Sequence, residues 1–249
     1  MPLVLALLST TAQASDRLFA YTYQTAVLDQ GQAELEPWLT HAFGREEAYT
    51  RLEHRLELEL GLGGGLQTAF YFNHKSEAYE DPSGAVVLDS KFDGFSNEWK
   101  WQLTDPAADA LGTGLYGELT LAPDETELEA KLLLDKQAGA ALVALNLVGE
   151  AAREMGDDET EVEFKVLFGT TFEVSESFHL GVEAREVTEL DEGEAELLLL
   201  SAGPSLAFRP EAGWIALTFL PQLTDLAHQG RNLDEAEAME TRLVVGLHL

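Results

Sequence analysis

Cysteine is absent from the 249 residues, so no disulfide can staple this chain and no thiolate can serve as nucleophile or metal ligand. Long apolar runs are also missing. A spanning helix needs roughly eighteen apolar residues in a row, and the nearest approach, Ala138 to Gly149, is broken by Asn146. Positive charge is scarce, with 15 Lys and Arg against 45 Asp and Glu and a formal net charge of −30. Such a balance repels polyanions and argues against nucleic acid as a partner. It reads first as a solvated surface and second as an attraction for cations. No Pro-, Gly- or Ser-rich linker divides the chain, which therefore reads as one domain.

What is present is a two-residue period. Leu52, His54, Leu56, Leu58 and Leu60 alternate with Arg51, Glu53, Arg55, Glu57 and Glu59, a strand with one greasy and one ionic face. The alternation returns along most of the chain. Val162, Phe164, Val166, Phe168, Thr170, Phe172 and Val174 form a second long strand, and Leu243, Val245, Leu247 and Leu249 share one face of the last. Leu18 to Val27 reads as a short first strand, and Gly63-Gly64-Gly65 as a tight reversal. Short turns alternate with longer polar loops at Lys75 to Asp93, Glu150 to Glu159, Glu186 to Glu194 and Thr224 to Ala238. The expected architecture is an all-β, antiparallel up-and-down transmembrane β-barrel of about twelve strands, those four loops external and Leu18 to Val27 a partial strand or accessory pairing.

Period alone does not separate a membrane barrel from a soluble sandwich, whose greasy face packs inward. The number of strands without helices, the length of several, and the chain start favour lipid. Pro2-Leu3-Val4-Leu5-Ala6-Leu7-Leu8 followed by Ala12-Gln13-Ala14 has the apolar core and small-residue exit of a secretory signal. That places a signal peptide at residues 1–14 and the barrel at 15–249. Trp38, Trp99, Trp101, Trp214, Tyr21 and Tyr23 suit interfacial girdles. Pro37, Pro204 and Pro221 stand against closure unless each sits at a bulge or strand end, because a barrel has no free edge.

A resemblance supports this reading. Tyr21-Thr22-Tyr23 with Gly31 to Trp38, Ser96-Asn97-Glu98, Asp105-Pro106, Leu115-Tyr116-Gly117-Glu118, Glu129-Ala130-Lys131 and Gly203-Pro204-Ser205 resemble stretches of a family of uncharacterised Gram-negative outer-membrane β-barrel proteins. The motifs are structural, so the resemblance implies a place in the cell outer membrane and not an activity. The partners that follow are outer-membrane lipid, lipopolysaccharide and the barrel-assembly machinery. Leu249 departs from the aromatic terminal residue common in such barrels and weakens the assembly signal.

No catalytic, cofactor or metal site is assigned. His41, His54, His74, His179, His228 and His248 are scattered singly, with neither His-x-Ser nor His-Glu-x-x-His spacing. His179, near Glu183 on the polar phase, reads as a satisfied interior histidine. Gly156-Asp157-Asp158-Glu159 and Asp191-Glu192-Gly193-Glu194 offer weak divalent-cation binding at most, without EF-hand spacing. The candidates for lining a lumen are Arg51, Glu53, Arg55, Glu57, Glu59, Glu98, Lys100, Glu118, Glu129, Lys131, Glu163, Lys165, Glu183, Arg185 and Arg242. The expected function is a narrow channel or transporter for small polar or cationic solutes, with no enzymatic activity and no cofactor. The alternative is a non-conducting structural or surface-interaction barrel with acidic external loops.

Overall fold

Alternation of this kind leaves each strand with hydrogen-bonding groups along both edges, and the chain satisfies them by closing on itself. The computed structural model describes residues 16–81, 83–156, 160–191, 194–228 and 230–249. The signal peptide expected at residues 1–14 lies outside them, as do most of the acids in the two loop runs considered for cations. The strands are β1 (Ala33–Phe43), β2 (Tyr49–Gly63), β3 (Leu66–Glu80), β4 (Val86–Thr104), β5 (Gly112–Leu121), β6 (Glu125–Ala138), β7 (Ala141–Glu154), β8 (Glu161–Ser175), β9 (Phe178–Asp191), β10 (Glu194–Phe208), β11 (Gly213–Asp225) and β12 (Met239–His248). Each pairs antiparallel with its neighbours in chain order, and β1 pairs with β12 to complete a closed twelve-stranded barrel.

The two faces separate as the period demands. Leu56, Leu58, Phe70, Phe72, Trp99, Phe164 and Phe168 are exposed on the outer surface, whereas Glu57, Glu98, Glu118 and Glu183 are buried within. In water so extensive an apolar belt would drive aggregation; against acyl chains it costs nothing. The girdle expectation is corrected in part. Trp99 and Trp101 do lie outside, half-exposed, but Trp38, Trp214, Tyr21 and Tyr23 are buried in the interior.

The start of β1, the end of β12 and one set of turns share one end, here the terminal end; the other set forms the hairpin end. At the terminal end the β2–β3 reversal uses Gly64 and Gly65 at φ of 65° and 76°, a doubly left-handed turn open to glycine. At the hairpin end, Thr224 to Ala238 is a loop beyond Asp225 as read, but two of the other stretches are largely ladder. Lys75 to Asp93 continues β3 and β4 as a paired hairpin with Lys75 opposite Lys91 and Tyr79 opposite Val87, turning only at 81–85. Glu186 to Asp191 is likewise paired with β10, ending at Asp191 opposite Glu194. These extensions outrun a membrane crossing of roughly ten residues, so polar groups occupy both faces and the greasy alternation fades. At the β3–β4 tip Asp81 accepts hydrogen bonds from the Ser83 hydroxyl (2.6 Å) and the Ser83 and Ala85 amides. These donors hold its carboxyl below the usual range.

The prolines lie in mid-strand at breaks in pairing. Pro204 and Pro221 both fall in the stretch of the β10–β11 ladder between Ser201–Gln222 and Ser205–Thr218 where no pairs form, beside the bulge at Leu200/Ser201. Two residues without N–H share one gap, so neither proline removes a hydrogen bond from a formed pair of this ladder. Pro37 occupies the corresponding gap between Leu35–Leu247 and Trp38–Val244 on the β1–β12 seam.

Candidate functional site

The interior holds the chain before β1. Leu18 to Val27, read above as a strand, and Leu28 after it pair with no strand edge. Phe19, Ala20 and Thr25 are fully buried, and Leu18, Tyr21, Thr22, Tyr23 and Leu28 nearly so. Backbone donors in an extended segment need partners, and here wall side chains supply them. The Glu183 carboxylate accepts from the amides of Ala20, Tyr21 and Thr22 at 2.9, 3.0 and 2.7 Å. Asn146 accepts from the Tyr23 amide (2.6 Å) and donates to the Tyr23 carbonyl (2.9 Å), imitating a strand neighbour. Asp135 takes the Thr25 amide and hydroxyl, and Gln67 the Leu28 amide.

These anchors fall in wall order. Asp16 meets Arg209 just after β10 (2.7 Å), Phe19 packs on β8, and the hydrogen bonds then pass to β9, β7, β6 and β3 before Gly31 bonds to Gly61 of β2. It therefore forms a collar around the inside of the terminal end. On β8 the collar needs a glycine: a Cβ at Gly169 would lie 2.8 Å from the Phe19 ring. Gly169→Ala is expected to destabilise the protein by about 1–3 kcal/mol through overpacking, read as a lower unfolding temperature. Phe19→Leu in the same chain should restore most of the loss, since the two changes touch one contact.

Aromatic rings carry the collar inward, and cations cap them. Tyr23 packs edge-on against Tyr116 at 5.1 Å. Arg17 lies 4.2 Å above Tyr23 and 4.4 Å from Trp38, Lys131 lies 4.1 Å from both Tyr23 and Tyr116, and Arg242 lies 4.2 Å above Tyr21. Each contact keeps a desolvated charge over a ring face. Above this layer, toward the hairpin end, lies a cavity of about 320 Å³ bordered by Tyr21, Tyr23 and Trp38. Its walls are ion pairs: Arg55 with Glu118, Lys131 with Glu129 (2.8 Å), and Lys165 with Glu150 (2.6 Å). A second space of about 420 Å³ adjoins the β11–β12 loop, where Arg45 holds Glu237 (2.8 Å) and Arg185 grips Glu240 with both nitrogens (2.9 and 3.2 Å).

The residues singled out in the sequence thus fall into two tiers. Glu53, Arg55, Glu118, Glu129, Lys131, Lys165, Arg185 and Arg242 border the first cavity, Lys165 and Arg185 the second as well, and Arg51 and Glu163 the second alone. Glu57, Glu59, Glu98, Lys100 and Glu183 border neither and are buried lower down, on the wall strands that carry the collar. Asn146, Asp135 and Gln67, which hold the collar, were missed. The only sequence signal was polarity on the inward phase of otherwise bland strands. Register also joins histidines that look solitary: His54 faces His74 across β2 and β3, with rings 6.3 Å apart, and His74 Nε2 is 3.3 Å from the Ser90 hydroxyl. Glu183 spends its oxygens on the collar and on Thr218 rather than on His179.

A closed, outwardly apolar, inwardly ionic barrel of twelve antiparallel strands has the porin fold. The NanC porin superposes with a TM-score of 0.57 at 10% identity, covering 85% of this chain and 97% of that one. The KdgM porin in complex with disordered oligogalacturonate gives 0.50 at 9% identity, over 86% and 97%. A bacterial polysaccharide outer membrane secretin gives 0.50 at 7%, over 87% and 98%. At such identities the likeness is one of fold. The chain itself belongs to the family of unknown function DUF6662, whose model matches residues 11–249. No curated protein matches it.

Proposed function

We propose that this protein is a non-enzymatic outer-membrane barrel acting as a narrow, self-plugged channel or transporter for small polar or cationic solutes. The observation that carries the reading is the ionic cavity above the collar, enclosed by a wall whose outer face is apolar. Charged groups in a lumen favour hydrated solutes over apolar ones. Acids only slightly outnumber bases there: Glu53, Asp93, Glu118, Glu127, Glu129 and Glu150 against Arg55, Lys131, Lys165, Arg185 and Arg242. The cation preference should therefore be weak. The shorter turns at the terminal end suit a periplasmic orientation, with the paired hairpins outside among lipopolysaccharide. The assembly machinery that inserts such barrels is the corresponding cellular partner.

Planar-bilayer recording tests this. Purified protein is expected to give small, discrete openings with slight selectivity for cations. Lys165→Glu reverses one wall charge beside Glu150 and should move the reversal potential several-fold further toward cations. Complete silence of the wild type across voltage and pH would overturn conduction by the intact chain. It would favour the second reading, a non-conducting surface barrel, for which the collar and the inward-tucked Ala236 and Glu237 of the β11–β12 loop speak.

A further inference from the structure

We propose that Glu36, Glu57 and Glu59 form a binding site for a hard divalent cation of the calcium class. Pairing of β1 with β2 sets Glu36 opposite Glu57 and Glu34 opposite Glu59, all on the inward phase. Like charges directly across a ladder repel, yet these four are buried, none more than 5% exposed. One oxygen from each of Glu36, Glu57 and Glu59 lies within 4.8 Å of the others. The second, independent sign of a ligand is Glu57 itself: it is fully buried, and neither of its oxygens has a hydrogen-bond partner. Two unpartnered acceptors on a buried carboxylate are costly unless something positive sits against them.

The protein does not supply enough charge of its own. Arg17 approaches Glu36 only to 3.8 Å, beyond hydrogen-bond reach, and its guanidinium is stacked on Tyr23 and Trp38. Trp38 donates to Glu36 (3.1 Å), a neutral contact. Glu34, opposite Glu59, and Glu98, two strands over on β4, each keep one buried oxygen without a hydrogen-bond partner, though His248 lies 3.5 Å from that of Glu34.

An all-oxygen, all-carboxylate donor set selects a hard ion. Carboxylates buried this deeply suit calcium, which takes its ligands mainly from protein oxygens, better than magnesium, which keeps several waters. The ion would join β1 to β2 beneath Arg17, at the point where the collar's first turn meets the wall. With the carboxylates closed off from solvent, it would enter as the barrel folds. The inference does not depend on whether the interior conducts.

Terbium, a calcium surrogate excited through a nearby indole, provides the test, because Trp38 touches Glu36. Full-length protein refolded with terbium after chelator treatment should show sensitised emission that calcium suppresses when both are present during refolding. Glu57→Gln with Glu59→Gln should lose that emission and the calcium-dependent rise in unfolding temperature. Trp38→Phe should weaken the emission, the remainder coming from Trp214, whose indole donates to Glu34, and keep the rise. Equal emission from wild type and the double carboxamide variant would overturn the site. Should that variant not fold, native mass spectrometry of wild type refolded with calcium decides: one retained ion supports the site, and none overturns it.

Discussion

Deletion of residues 16–27 is expected to raise single-channel conductance several-fold and to leave the barrel folded. The collar occupies the interior at the terminal end with Leu18 to Tyr23, and none of its residues belongs to the twelve-stranded ladder. Removing it opens space that water fills, and Glu183, Asn146, Asp135 and Gln67 exchange backbone donors for water, a substitution with a small net cost. The wall keeps its β1–β12 closure, so heat-modifiable migration on gels should persist. A truncated barrel that is folded and no more conductive than the full chain would show that the collar does not obstruct a path.

The second large effect concerns a single carboxylate. Glu183→Ala leaves the amides of Ala20, Tyr21 and Thr22 without acceptors in a dry site, at about 1–3 kcal/mol for each unpaired group. Three such penalties exceed what one segment gains by staying docked, so the collar should leave the wall instead of unfolding the barrel. The expected result is rapid proteolysis within residues 16–28, with the strand core intact and conductance approaching that of the truncated form. Glu183→Gln keeps one carbonyl oxygen, able to accept two bonds, and should show an intermediate rate. Unchanged protection in Glu183→Ala would place the collar's main anchor elsewhere.

The wall of this barrel was legible because lipid and an ionic interior impose opposite demands on successive residues. From Thr50 to Leu62 that demand is met at nearly every position, and the strand is plain. The collar was not legible. Leu18, Ala20 and Thr22 alternate with Phe19, Tyr21 and Tyr23 as a strand would, but the partners of its backbone are side chains 162, 123, 110 and 39 residues away. Nothing local announces them. The hairpin extensions failed for the opposite reason: above the apolar belt the ladder continues with polar groups on both faces, so the composition imitates a loop. The Glu36–Glu57–Glu59 cluster depends on register between β1 and β2, which alternation leaves open by any even number of residues.

Because the collar runs directly into β1, and β1 makes the closing seam with β12, the order of construction is constrained. The leading stretch must already lie on the concave side when first and last strands meet, or must thread in afterwards through the terminal mouth. In the first case the cylinder is built around its own beginning, and a tag fixed rigidly ahead of residue 16 would hinder completion of the ring rather than the pairing of any individual hairpin.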